Sequence, residues 1–186
     1  MSTLPNSYPL IDERFINVNE VANKLLSNPL ITQDVWRTVD DLGLKVNQHE
    51  KTLTISFKPI QQDWLKLMAK LYVLIRSERK FSAMYIKGDV SHLKCFSIFI
   101  EHKSIFSHNQ INEQLFDEYN YYLRSSKLSE RSIWLRYTTL VNFFKLCREE
   151  GWLEVNTYWF KGKCKKTPIK RDEIEYIPEE IGRAHV

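Results

Sequence analysis

A run of positive charge near the end of the chain is the clearest chemical feature of the sequence. No acidic residue lies between Tyr158 and Arg171. Cations that neutralise phosphates release the counterions condensed on duplex DNA, so the run favours a nucleic-acid partner. A charge run is also typical of a solubilising tail, and charge alone leaves both interpretations open. The cations are Lys161, Lys163, Lys165, Lys166, Lys170 and Arg171.

A second group of candidate residues lies where a helix is predicted to begin. Ser129 is a typical N-cap residue, and Arg131, Ser132 and Arg136 follow it off the apolar stripe of the helix. Free N–H groups at a helix start attract phosphate, and arginine binds guanine edges in the major groove. Without further information, Arg131 and Arg136 are more simply interpreted as solvated cations on a helix surface, with Ser132 as an ordinary polar neighbour.

Other chemistry is not indicated by any recognisable pattern. The five histidines have no metal-ligand spacing with Cys95, Cys147 and Cys164, and the sequence has no glycine-rich phosphate loop or catalytic-triad signature. We therefore expect no cofactor, no metal and no small-molecule substrate. No apolar run is long enough to span a membrane, Met1–Leu10 is not a secretory signal, and the odd cysteine count suits a reducing cytoplasm.

Hydrophobic periodicity predicts the elements that hold these candidates. Apolar residues recur at three- and four-residue steps in four stretches joined by short loops, which predicts a helical bundle. Ser82 and Ser129 are predicted N-caps, Gly151 is a predicted C′ glycine, and a shorter helix is predicted over residues 19–27. The third bundle helix is expected to turn Tyr122 inward. The four stretches are residues 61–79, 82–102, 109–125 and 129–151.

A change of period before the bundle predicts two strands. Leu44 and Val46, and then Leu53, Ile55 and Phe57, alternate with polar residues on either side of a turn-like stretch. This alternation predicts a β-hairpin. The predicted fold class is therefore mainly α, a four-helix bundle with a small N-terminal β-hairpin segment.

In chain order, these helices resemble the SAM-like core-binding domain of the tyrosine recombinases, the phage integrase family. The resemblance covers about residues 53–180, and its first part, LTISFKPIQQDWLKLMAKLYVLIR, is similar to the transposase branch of that family. The segment YIPEEI resembles the start of the family's catalytic domain. Residues that carry the resemblance are Leu93, Phe96, Phe99, Tyr122, Leu123, Ser129, Arg131, Ser132, Arg136, Phe143, Phe144 and Gly151.

The resemblance implies a DNA-binding role for both groups of cations. Family members grip the duplex with the second and fourth bundle helices, which adds Lys87, Ser91 and Lys94 to the candidates on the fourth helix. The basic run takes the position of the linker that follows the DNA backbone. Asp89 and Glu101 are expected to weaken the patch on the second helix.

The resemblance also implies that this chain does not cut DNA by itself. The family's catalytic Arg, Lys, His-x-x-Arg pair and nucleophilic Tyr belong to a later domain, and no His-x-x-Arg occurs in the sequence. We expect a fragment that binds double-stranded DNA, whose full-length parent is a strand-breaking-and-joining recombinase that assembles as a multimer on DNA. The alternative is a helical protein–protein adaptor with an incidental basic tail.

The expected organisation has four parts. Residues 1–60 form an N-terminal segment with the hairpin, 61–157 the core-binding bundle, and 158–180 the basic linker with the start of a catalytic domain. Residues 181–186, IGRAHV, match one reading frame of a common sequencing adapter, so we expect them to be an artefact.

Overall fold

The computed structural model describes residues 17, 19–45 and 53–163, and its architecture is mainly α. Short 3₁₀ helices lie at Pro29–Thr32, His108–Gln110 and Thr157–Phe160. The predicted fold class, a helical bundle with a small antiparallel strand pair, is confirmed. The main elements in chain order are α1 (Glu20–Leu26), β1 (Val35–Arg37), β2 (Thr54–Ser56), α2 (Asp63–Glu78), α3 (Ala83–His102), α4 (Glu113–Ser125) and α5 (Glu130–Glu149).

Side-chain caps begin α3 and α5 where the sequence predicts them. The Ser82 hydroxyl accepts from the Tyr85 N–H at 3.3 Å and starts α3. Ser129 caps α5 in the same way, and α5 ends before Gly151, whose φ is +72°. Because a side chain at such a φ is strained, glycine suits this C′ position.

The predicted start of the third bundle helix, at residue 109, is wrong. Ser107 and Gln110 form a capping box around the 3₁₀ helix His108–Gln110, which is separate from α4. Asn112 then caps α4, because its side-chain oxygen accepts from the Leu115 N–H at 3.0 Å. Two successive capping motifs therefore replace the single helix start expected from periodicity.

The helix α2 occupies the centre of the fold. The sequence predicts one apolar stripe on it, yet Leu65, Ala69 and Val73 are also buried. The helices α1, α3 and α5 pack around α2, so nearly every side of its middle turns is covered. A helix that is apolar on all sides is typical of this buried position.

An aromatic cluster joins α3, α4 and α5. Phe144 of α5 lies with its ring centroid 5.9 Å from that of Phe96 in α3 and 5.2 Å from that of Phe116 in α4. Phe160, from the last 3₁₀ helix, packs edge-on against Phe116 at 4.6 Å. Tyr122, predicted to face inward, is instead 37% exposed, because it stacks on the outer side of this cluster.

The first strand of the predicted hairpin is misplaced. The partner of β2 is β1, in which Trp36 pairs with Ile55, whereas Leu44 lies after a tight turn. Trp36 is fully buried, and its indole N–H contacts the carbonyls of Leu30 and Gln33. Burial of this ring favours strand pairing at β1 over the longer alternating stretch around Leu44. Val46 lies outside the described residues.

A partly buried ion pair ties the strand segment to α2. The Lys70 ammonium donates to the Asp34 carboxylate and to the Ile31 carbonyl, each at 2.8 Å. The hydrogen bond from Lys70 lowers the pKa of Asp34 against the opposing effect of burial. In addition to this ion pair, apolar residues from α1 and both strands belong to the same hydrophobic cluster as the bundle.

Candidate nucleic-acid interface

Three candidate residues lie along the exposed face of α3. Lys87 and Ser91 are exposed, and Lys94 is half-buried. Their spacing of four and three residues places them on one side of the helix. Burial, followed by the charge of Lys87, lowers the pKa of Lys94. The two ammonium groups therefore repel each other, and a bound anion would relieve that repulsion.

The candidates on α5 begin in its first turn. Arg131 is exposed, while the Ser132 hydroxyl lies 2.9 Å from that of the N-cap Ser129. Glu130 adds a carboxylate at the same helix start and lies 3.8 Å from Arg124. An acidic residue in the first turn offsets the attraction of the helix dipole for phosphate. The charge of Arg131 is thus a stronger attraction for an anion here than the helix end itself.

A small polar network holds α3 against α5. Nδ1 of His92 lies 2.9 Å from Oγ1 of Thr139, and the Thr139 hydroxyl donates to Asp89 at 3.2 Å. Arg136 is close enough to His92 for its charge to lower the pKa of that histidine, after the larger effect of burial. This network fixes α3 relative to α5 and places Arg136 near His92 on the neighbouring helix.

Asp89 has a different role from the one expected. Its carboxylate accepts from Arg76 at 2.9 Å and from the Tyr72 hydroxyl at 3.2 Å, and its side chain is only 13% exposed. The positive charge of Arg76 offsets the negative charge of Asp89, so Asp89 weakens the cationic patch less than an unpaired carboxylate would. The sequence did not reveal this network because Arg76 and Thr139 are far from Asp89 along the chain. The only local signal was the i, i+3 spacing of Asp89 and His92, which places both on one side of α3.

Charge is divided between the helices of the bundle. Among the described residues, Lys87, Lys94, Arg131 and Arg136 form no ion pair. The acidic residues Glu113, Asp117 and Glu118 lie instead on α4. Glu113 and Asp117 pair with Lys163, and Glu118 pairs with Lys103, so these α4 carboxylates are neutralised while the four cations on α3 and α5 stay unpaired among the described residues.

The basic run starts from an anchored position. The Lys163 ammonium contacts Asp117 and lies 3.4 Å from Glu113, and the Asn120 amide donates to the Lys163 carbonyl at 2.7 Å. Lys161 is exposed, with its ammonium 5.7 Å from the centre of the Tyr158 ring. Lys163 is thus neutralised within the chain, whereas Lys161 faces solvent. The remaining cations of the run, Lys165, Lys166, Lys170 and Arg171, lie outside the described residues.

Sites for other chemistry are not evident in the part of the chain that the structure describes. It contains no group of three metal-ligating side chains, and none of its helices could cross a bilayer. The Cys147 thiol is fully buried, and burial raises its pKa, which makes it a poor nucleophile.

Comparison with known proteins gives one family. Neither a curated protein nor a solved structure matches the chain. The family model of the phage integrase SAM-like domain matches residues 63–166, which include α2 to α5 and every candidate residue on α3 and α5. This match covers more than half of the 186 residues and gives the helices a role related to recombinases. The chain belongs to the phage integrase SAM-like domain family.

Proposed function

We propose that this chain binds double-stranded DNA as the core-binding part of a site-specific tyrosine recombinase or transposase. The observation that carries the proposal is the set of four cations on α3 and α5 that have no carboxylate partner among the described residues. Membership of the phage integrase SAM-like family supports DNA as the partner. The cations are Lys87, Lys94, Arg131 and Arg136.

The packing of α3 against α5 makes this surface suitable for a rigid duplex. The hydrogen bonds of Thr139 with His92 and Asp89 keep the two helices in register. A backbone that is already ordered loses little further freedom on binding, so the main ordering cost is that of the cationic side chains themselves. The unpaired cations then make the side formed by α3 and α5 attractive to DNA, whereas the carboxylates of α4 are already paired with Lys163 and Lys103.

The basic run is proposed to add affinity rather than sequence preference. Cations that contact phosphates fix the position of a protein on DNA and carry no direct sequence information. Lys161 is free to act in this way, whereas Lys163 would first have to leave Asp117 and Glu113. Strand breaking and joining would belong to a catalytic domain of the parent recombinase, and this chain would contribute DNA binding only.

The proposal is tested by the salt dependence of duplex binding. Fluorescence anisotropy at several salt concentrations gives the slope of log affinity against log salt for the full chain. Replacing both Lys87 and Lys94 with glutamine should make that slope shallower by roughly 0.9 for each phosphate that is no longer neutralised. Lys24→Gln, on the exposed side of α1, removes the same charge elsewhere and should leave the slope unchanged.

A protein–protein adaptor is the second candidate function, and exposed aromatic residues on α4 favour it. Tyr121 is 75% exposed, and Tyr122 lines the same shallow groove beside Phe99. An adaptor would show weak, nonspecific affinity for duplex DNA, and the Lys87 and Lys94 replacements would not change it. That result would favour the adaptor over the DNA-binding function.

A further inference from the structure

Gly88 lies in the interior of α3, among the DNA-binding candidates. It follows Lys87 directly and precedes Ser91 by three residues. Glycine inside a helix is destabilising relative to alanine, because glycine loses more backbone freedom on folding. Its presence within a helix of 20 residues is therefore a local cost to the stability of α3.

Neither steric crowding nor a positive φ explains this glycine among the described residues. A Cβ atom added to Gly88 would meet nothing within 4 Å, and the backbone there does not have a positive φ. Gly151 provides the contrast, because its φ is +72° and an added Cβ would lie 3.3 Å from the Asn19 side chain. The backbone conformation at Gly151 favours glycine, whereas at Gly88 the missing side chain only leaves open space.

The open space lies beside the junction of α3 with α5. Gly88 is adjacent to Asp89 and four residues before His92, and both of these side chains contact Thr139 of α5. Residues four apart share one side of a helix, so Gly88 lies on the edge of the exposed face that is nearer to α5. The position is thus flanked by Lys87 on one side and by the α5 junction on the other.

We propose that Gly88 is a contact position at which the sugar–phosphate backbone of duplex DNA lies directly against α3. This inference rests on the proposed function and adds one steric requirement to it. Without a side chain, the helix lets the partner approach by the width of one methyl group more. Lys87 and Lys94 then reach phosphates on the strand that passes over Gly88.

The test is Gly88→Ala in the full chain, measured for both stability and DNA binding. The variant should melt about 2 °C higher, because alanine favours the helix and meets open space. Its affinity should fall about tenfold, because an added methyl group overpacks the interface. The fall should be equal for a specific and a scrambled duplex, because the backbone carries no sequence information. Asn23→Ala on α1 is the control, since it favours its helix away from this surface.

The other possible results of these measurements distinguish failure of the Gly88 contact from failure of the proposed function. If Gly88→Ala melts higher and binds DNA like the unchanged protein, Gly88 is no contact position, while the proposed function stands. A lower melting temperature would mean that the fold itself needs glycine there, which overturns the inference. Failure of the unchanged protein to bind duplex would overturn the proposed function and this inference together.

Discussion

The imidazole of His92 and the hydroxyl of Thr139 meet across the junction of α3 and α5, with Nδ1 2.9 Å from Oγ1. The one hydrogen of the Thr139 hydroxyl is donated to Asp89, so the His92 Nδ1–H donates to Thr139. Arg76 in turn pairs with Asp89, so one chain of hydrogen bonds links α2, α3 and α5. These bonds consequently fix the relative position of the helix backbones from which the candidate cations extend.

The pH dependence of stability should reveal His92. Burial lowers its pKa below the ordinary 6.5, so the unfolded chain binds a proton more readily than the folded one. The contribution of neutral His92 to the free energy of unfolding is therefore fully present above about pH 6.5. It declines as the pH falls toward the pKa of His92 in the folded chain. His108 has a pKa lowered by burial as well and contributes in the same direction. Thermal melts of His92→Asn between about pH 7.5 and 5.5 should show a weaker decline than melts of the unchanged chain.

The position of Arg136 can be checked without DNA. Its charge is one of the causes that lower the pKa of His92. Arg136→Ala should therefore raise the pKa of His92, which an NMR titration of the imidazole resonances measures. Arg131→Ala is the matched control on the same helix and should leave that pKa unchanged. Equal titration curves for all three proteins would contradict the proximity of Arg136 to His92.

Arg136→Ala should also reduce discrimination between DNA sequences. If the guanidinium reaches a base edge, its loss should remove about 1–3 kcal/mol of preference for a specific duplex over a scrambled one. Lys161→Gln should instead weaken binding to both duplexes alike, because Lys161 belongs to the basic run. Competition binding with the two duplexes measures the ratio. An unchanged ratio for Arg136→Ala would limit its role to phosphate contact.

Phe144 should be a main contributor to the stability of the bundle. It is fully buried and contacts rings from α3, α4 and the last 3₁₀ helix. Phe144→Ala should lower the free energy of unfolding by about 3–5 kcal/mol, because apolar burial is reduced and a cavity is left behind. Leu135→Ala, at a position that is 37% exposed on the same helix, should cost less than about 1 kcal/mol. Urea unfolding curves give both values.

Lys70 and Lys66 offer a direct comparison, because both approach Asp34. Lys70 lies 2.8 Å from Asp34 and is nearly buried, whereas Lys66 is 3.8 Å away and more exposed. Lys70→Ala should cost about 1.5–3 kcal/mol of unfolding free energy, since it removes two charge-assisted hydrogen bonds. Lys66→Ala should cost no more than about 1 kcal/mol. Similar losses for both would contradict the anchoring role of Lys70.

Acid should remove the contribution of Asp34. Because its pKa is lowered in the folded chain, this contribution is present above the ordinary value of 3.8 and is lost as pH falls through the folded pKa. This range lies well below that of the histidines, so the two effects separate in a series of melts. In Lys70→Ala, the acid-dependent loss should be smaller.

Local sequence determined much of the helical part of the fold. Ser82 and Ser129 cap α3 and α5, and Gly151 follows the end of α5, as predicted. These motifs act through hydrogen bonds and backbone angles within a few residues, so they are visible without the tertiary structure. The apolar stripes of α3 and α5 were predictable for the same reason, because a period of about 3.6 depends only on the helix. The DNA-binding role of the candidate cations came from the family resemblance and stays a prediction.

Only the tertiary structure decided which of these residues have partners. The pairing of β1 with β2 depends on the burial of Trp36, and a three-residue strand is too short to show a period. Asp89 meets Arg76, and Lys163 meets Asp117, across contacts between elements that sequence spacing cannot reveal. Charges pair over a few ångströms in space, while a sequence orders them only along the chain. The fold therefore decided that Lys87 and Arg136 remain without a carboxylate partner among the described residues and Lys163 does not.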